Sequence, residues 1–254
     1  MDALSPELSG GMLAVLFAAA LLAGFLDTLA GGGGLITLPA LMLACLPPLT
    51  ALGVNKLQGS MGTATASWMM RRKGKLRGQA VDRLMALVFV GSAIGSFAIQ
   101  FADPAHLRWV IPSVLSAIAV GFLLTPVMQL EARPARLGTL RYGYGVIPLI
   151  GAYDGAFGPG TGSFFTLAGV ALRGHGLIDD TAIAKPLNFA TNLAALLVFI
   201  AAGHILWGLG LLMMLGQAIG AWLGAHGLLR IDPCWLRVLV VAMSLAMLGR
   251  YLIG

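Results

Sequence analysis

The sequence predicts an all-α polytopic membrane protein made of two internal repeats, and three observations predict it. Hydrophobic residues are 58% of the 254-residue chain and charged residues only 10%, against about 25% charged in a soluble domain, and mean hydropathy is +0.90. Apolar runs near the length that crosses a bilayer fall at about 11–30, 82–101, 107–129, 180–202, 207–228 and 235–253. Short strings of the first half recur, in the same order, in the second. About eight full spans plus short segments are expected, with little chain left for a soluble domain.

The first run follows Met-Asp-Ala-Leu-Ser-Pro-Glu, which holds Asp2 and Glu7 and no basic residue. The positive region of a cleaved signal peptide is missing, so this run is expected to stay in the mature protein. Gly31, Gly32, Gly33 and Gly34 then interrupt the apolar sequence, and a short apolar piece over 35–46 stops at Pro47-Pro48. It is too brief to cross as a regular helix and reads as a half-helix or re-entrant segment. Thr50 is expected to cap the next helix, which runs to about Met70 and ends in R-R-K-G-K-L-R, five basic residues in seven. The positive-inside rule puts this loop, 71–77, in the cytoplasm. Two spans follow on either side of F-A-D-P-A-H-L-R, and then a linker with Arg133, Arg136 and Arg141 that is cytoplasmic by the same rule.

The second half repeats the first at an offset of about 125 to 129 residues. Gly24 and Asp27 match Gly151 and Asp154, Lys56 matches Lys185, and Gly74 matches Gly203. Gly91-Ser-Ala-Ile-Gly95 matches Gly216-Gln-Ala-Ile-Gly220, and Asp103-Pro-Ala-His-Leu-Arg108 matches Asp232-Pro-Cys-Trp-Leu-Arg237. The expected organisation is a first transmembrane repeat over 1–130, a cytoplasmic linker over 131–142 and a second transmembrane repeat over 143–254. Counting the short pieces as crossings gives five segments per unit and inverts the second; merging them gives four and a parallel pair. The basic loop 71–77 corresponds to 200–206, which has no formal charge, while the weakly charged loop at Asp103 corresponds to one with Arg230 and Arg237. That opposite bias favours inversion, the design of secondary transporters whose broken helices meet between the repeats.

The net charge of +6 lies in short connections beside apolar segments. That is a topogenic pattern, so no nucleic-acid partner is expected. Cys45 and Cys234 sit in apolar surroundings, offer neither a disulfide framework nor metal spacing, and read as packing residues.

Of four lysines, two belong to the basic loop, and Lys56 and Lys185 lie at equivalent places inside apolar segments. A lysine in the bilayer costs at least ~2.5 to 3.5 kcal/mol, so these two call for a reason beyond snorkelling to an interface. Asn55, Gln58, Gly59 and Thr63 accompany the first, and Asn188 and Asn192 share a helix face with the second. Asp27 and Asp154 are the natural counter-charges, in a coupling role or as plain structural partners. The breaks, Gly31 to Gly34 and Gly158-Pro159-Gly160-Thr161-Gly162, admit close backbone approach and leave helix N-terminal N–H groups for an anion. Close packing is the alternative for either break alone. The Gly91 and Gly216 motifs read as helix-packing surfaces. His106, His175, His204 and His226 show no metal-ligand spacing, and neither nucleotide-binding nor hydrolase signatures are present.

The paired strings G-G-G-G-L-I-T-L-P, N-K-L-Q, Y-D-G-A-F-G-P-G-T-G-S-F-F and A-K-P-L-N-F-A-T-N resemble the TauE/SafE-type sulfite exporter family of membrane permeases, in its YfcA-like branch. The resemblance spans nearly the whole chain. It implies an inner-membrane carrier of sulfite, sulfonates or related organosulfur anions, with motif positions at Asp27, Gly31 to Gly34, Asn55, Lys56, Gln58, Asp154, Gly158, Gly160, Thr161, Lys185, Asn188 and Asn192. The expectation is therefore a secondary carrier, not an enzyme, exporting a small sulfur anion by alternating access. Its substrate would be held by Asn55, Lys56, Gln58, Gly158, Gly160, Thr161, Lys185, Asn188 and Asn192. No cofactor or metal is expected; the partners are the anion and the bilayer, and a homodimer stays open. The alternatives are a carrier of carboxylates or cations contacted by the aspartates, and a membrane enzyme using Asp154 and Lys185.

Overall fold

The computed structural model describes residues 8–74, 76, 81–124 and 134–227. The apolar run at 235–253 and the loop at Asp232 lie outside the described residues.

All regular elements among the described residues are helical. Helix α1 (Gly10–Ala30) starts where Ser9 Oγ accepts from Met12 N at 3.3 Å, and stops where Gly31 turns left-handed at φ 82°. After the break comes the short α2 (Gly34–Leu43), and α3 follows (Pro48–Arg72). Thr50, expected as the cap of α3, lies inside its first turn. The reason is the Pro47-Pro48 pair: proline has its φ preset and needs no N–H partner at the first helical position, so the helix starts two residues earlier. Cys45, expected as a packing residue, is exposed at the α2–α3 corner with a left-handed φ of 61°. Next are α4 (Val81–Ile99) and α5 (Pro104–Leu124). The second half opens with α6 (Thr139–Arg141), a π turn (Tyr142–Val146) and α7 (Ile147–Ala156) in unbroken succession. Beyond the second break lie α8 (Thr161–Ala168), a second π turn (Gly169–Arg173), α9 (Leu177–Ala201) and α10 (Trp207–Gly227).

Among the described residues four helices are long and apolar enough to cross a membrane: α1, α4, α9 and α10. Their outward faces carry Val15, Ile94, Phe97, Leu197, Leu215 and Trp222, all exposed. A water-soluble protein does not display apolar surface on helix after helix, so these faces belong in lipid, and the protein is membrane-embedded. Helix α3 is of another kind: at 1.5 Å per residue its 25 residues span about 37 Å, yet it is polar along one side and buried along most of its length.

The packing exchanges partners between the halves: α1 lies on α10, α7 on α4, and α3 and α9 touch each other at the centre. The α1–α10 and α4–α7 seams are backbone-close because glycines line them. A Cβ on Gly220 would stand 1.9 Å from Leu21 O, and one on Gly95 would stand 1.9 Å from Ala152 O. The helix ends gather into two groups. At one end, Leu8 and Met12 share an apolar cluster with Leu41, Leu46, Leu49, Leu107 and Ile205, so α2 returns towards the end where α1 began. At the other, Leu76 and Leu84 cluster with Leu137, Tyr142, Leu172 and Ile183. There the N–H groups of Arg136 and Leu137 donate to Leu172 O at 3.0 and 2.9 Å, so α8 also returns to the end where α6 began.

Candidate functional site

The two breaks meet in the middle of the molecule, backbone against backbone. A Cβ on Gly31 would stand 2.6 Å from Gly162 C, one on Gly162 would stand 2.7 Å from Gly31 Cα, and Ser163 N donates to Gly31 O at 3.2 Å. No side chain fits at this crossing, which is what the glycines are for. Gly31 and Gly158 also hold φ of 82° and 96°, a region L-residues avoid. Gly33 N donates to Asp27 Oδ1 at 3.1 Å, tying the start of α2 to the end of α1. In the second half Thr161 Oγ1 donates to Asp154 Oδ1 at 2.7 Å, which ties the start of α8 to α7.

Lys56 and Lys185 each occupy the ninth position of a 25-residue helix and are 0% and 1% exposed. Both reach across to the other half. Lys56 Nζ donates to the backbone carbonyl of Asp154 and lies 3.1 Å from its Oδ1. Lys185 Nζ donates to the backbone carbonyl of Asp27. Each lysine therefore sits at the C-terminal end of the helix leading into the opposite break, where the last carbonyls concentrate partial negative charge. The pairing is unequal: among the described residues Lys185 has no carboxylate within 4.0 Å.

A polar cavity lies beside the crossing, lined by Asp27, Gly31, Gly34, Asn55, Gln58, Gly59, Thr63, Gly158, Gly160, Thr161, Asn188, Asn192 and Gln217. Its open volume is about 20 Å³, the room that one water needs. Helices α2 and α8 both begin on it, at Gly34 and Thr161, and their positive ends favour an anion, although the N–H groups of Leu35, Ile36, Thr161 and Ser163 already donate to Gly32, Gly33, Gly158 and Gly31 carbonyls. Asn55 is oriented by Thr37 Oγ1, which donates to its Oδ1 at 2.7 Å, and by Gln58 Nε2 at 3.0 Å. On α9, Asn192 Nδ2 donates to Asn188 O at 2.8 Å and to Asn188 Oδ1 at 3.0 Å.

Of the residues singled out from the sequence, Asn55, Gln58, Gly158, Gly160, Thr161, Asn188 and Asn192 converge on this cavity, with Asp27, Gly31 and Gly34. Lys56, Lys185, Asp154, Gly32 and Gly33 are not on its wall; the lysines and Asp154 stand behind it. Sequence reasoning missed Gln217, which enters from α10 between two packing glycines and is 2% exposed. Its signal was a lone amide in an apolar helix.

The sulfite exporter TauE/SafE family model matches residues 16–251. The chain belongs to this family. Among TauE/SafE relatives, a Haemophilus influenzae protein named "Probable membrane transporter protein" is 43% identical over 239 residues, covering 94% of both chains. "Probable membrane transporter protein ORF9" of a Sinorhizobium species is 40% identical over 246 residues, 97% of this chain and 94% of its own. "Probable membrane transporter protein YfcA" of Escherichia coli K12 is 40% identical over 243 residues, 95% and 90%. No solved structure matches. All three TauE/SafE relatives carry the name of a probable membrane transporter.

Proposed function

We propose that the protein is a secondary transporter, in the direction of export, for small sulfur-containing anions such as sulfite or organosulfonates. Two inverted repeats, 1–130 and 143–254 joined by the linker 131–142, would work by alternating access. The observation that carries the reading is the crossing of the two glycine breaks, with two helix N-termini and a ring of amides opening on one cavity between the halves.

The repeat reading has further support. Left-handed residues pair at a nearly constant offset: Gly31 with Gly158, Cys45 with Gly174, Gly74 with Gly203. The lysines cross reciprocally, and the helix contacts exchange on swapping halves. Since α1 and α6 begin at opposite ends of the molecule, inversion is favoured over a parallel pair. The basic loop and the linker gather at one end, which we place on the cytoplasmic side of the inner membrane.

Within the site, Asn55, Gln58, Thr161, Asn188 and Asn192 and the backbone at Gly158 and Gly160 would contact the anion. Lys56 and Lys185 would lend positive potential from behind while holding the breaks together. Asp27 and Asp154 would fix the breaks or take a coupling proton as the repeats rock. A water-sized cavity cannot hold a sulfonate, so the breaks must part during the cycle.

The test is counterflow in proteoliposomes, with sulfite, sulfonates, carboxylates and amines competing in one assay, for the parent and for Asn192→Leu. Sulfur anions should compete best, and the folded variant should lose most transport. Competition led by carboxylates or amines, or a variant as active as the parent, would overturn the reading.

A further inference from the structure

We infer that the ligand of this cavity carries a hydrogen-bond donor of its own, a hydroxyl, an amine or an acid proton beside its anionic group, and that Gln58 and Gln217 select for it. This rests on the transport reading and narrows its substrate class. Among the described residues five carboxamides line the cavity, namely Asn55 and Gln58 from α3, Asn188 and Asn192 from α9 and Gln217 from α10, and no lysine, arginine or histidine does. A wall made for a bare oxyanion would present donors only. This one also presents acceptors.

Gln58 Nε2 is spent on Thr37 Oγ1 at 2.8 Å and Asn55 Oδ1 at 3.0 Å. Its Oε1 has no donor among the described residues, although the side chain is 1% exposed. Turning either amide of the Asn55–Gln58 pair alone would bring like atoms together, and turning both merely exchanges them. The pair therefore always leaves one donor and one acceptor unspent. In α9 the bond from Asn192 Nδ2 to Asn188 O fixes that amide, and leaves Asn192 Oδ1 facing Gly59, 3.3 Å from where a Cβ would stand. Gln217 lies over Gly62, whose Cβ would be 2.4 Å from its Cγ, and its Oε1 also lacks a donor among the described residues.

Asp27 adds a carboxylate to the wall, which disfavours a dianion. A ligand with acceptor oxygens alone would enter this site and leave buried acceptors unpaired. Unmade bonds of that kind cost at least about fivefold in affinity. A hydrogen-oxyanion, or a sulfonate with a hydroxyl or amine, satisfies at least one of them.

The test uses the full chain in lipid nanodiscs and isothermal titration with two isosteric pairs. They are 2-hydroxyethanesulfonate against propanesulfonate, and 3-hydroxypropanoate against butanoate. The hydroxylated sulfonate should bind at least about fivefold more tightly than its methyl isostere. In Gln217→Leu that ratio should fall to within about twofold while the melting temperature stays near the parent's, and in Gln58→Leu it should fall likewise, with a lower melting temperature from the lost bonds to Thr37 and Asn55. A hydroxyl preference confined to the carboxylates would sustain the donor inference and overturn the sulfur-anion reading. Equal binding within both pairs, a preference that survives both substitutions, or no binding by any of the four probes would overturn the inference.

Discussion

Replacing Lys56 by Met should be far more damaging than the same change at Lys185, although the two residues are equivalent in sequence. Lys56 Nζ holds both the carbonyl and the carboxylate of Asp154, the latter at 3.1 Å. Without it, Asp154 keeps only Thr161 Oγ1 on one oxygen, while Oδ2 has no partner even in the parent among the described residues. Stranding one member of a buried pair costs about 3 to 5 kcal/mol. Among the described residues Lys185 has only the carbonyl of Asp27 to lose, and the carboxylate there keeps its bond from Gly33 N. A charged hydrogen bond is worth about 1.5 to 3 kcal/mol, and removing an ammonium with no ion-pair partner offsets part of that. For a chain of this size each kcal/mol moves the midpoint by about 2 to 4 °C. Thermal unfolding in detergent should therefore show Lys56→Met lower than the parent by roughly 10 °C and Lys185→Met by less than half as much. Adding Asp154→Asn to Lys56→Met should restore at least about half of the loss, because the stranded charge is gone. An equal or larger loss for Lys185→Met, or no recovery in the double variant, would refute the argument.

Neighbouring glycines in the first break should behave differently. Gly31→Ala brings a Cβ to within 2.6 Å of Gly162 C at a φ of 82°, which combines left-handed strain with overpacking and should cost about 2 to 5 kcal/mol. In Gly32→Ala the nearest atom is a flexible Leu35 methyl at 3.6 Å, and the monodisperse yield on size exclusion should match the parent's. Along α10, Gly220→Ala forces a Cβ to 1.9 Å from Leu21 O and should lower the melting temperature sharply. Gly208→Ala in the same helix meets nothing within 4 Å and should raise stability by about 0.5 to 1 kcal/mol through helix propensity.

The sequence makes the element boundaries legible wherever a boundary has a chemical marker. The tract Gly31 to Gly34 marks the end of α1 and the start of α2, and the basic loop marks the end of α3. Pro47-Pro48 marks the α2–α3 corner, yet the start of α3 was misplaced at Thr50 because a hydroxyl cap and an N1 proline compete for the same turn and proline needs no partner there. The roles of the lysines were less legible. A basic residue among amides reads as a ligand for an anion, whereas its Nζ depends on what lies across the helix pair. Here that is a helix end from the other half, 98 or 158 residues away in sequence.

Gln217 shows the limit of pattern reading most clearly. Its motif, Gly216-x-x-x-Gly220-x-x-x-Gly224, is a packing surface as expected, with Phe17 O, Leu21 O and Phe25 O beneath the three glycines. The amide between them serves a different neighbour. In the similar first-half string Gly91-Ser-Ala-Ile-Gly95 the residue at its place is Ser92, short enough to bond α9 directly, with Oγ donating to Thr191 O at 2.7 Å. Opposite Gln217 the corresponding residue of α3 is Gly62, which leaves space for the longer side chain to reach the cavity. A Ser–Thr contact in one half and a Gln–Gly contact in the other fill similar space, so the seams stay alike while the polar wall does not. The first half supplies seven of the lining residues and the second six. Two copies that were chemically identical would make a site with two equal faces. Asn55 stands against Ala184, Gln58 against Leu187 and Gly59 against Asn188, so if the halves are copies, as proposed, the polar groups of the two faces fall at different places and suit an unsymmetrical ligand.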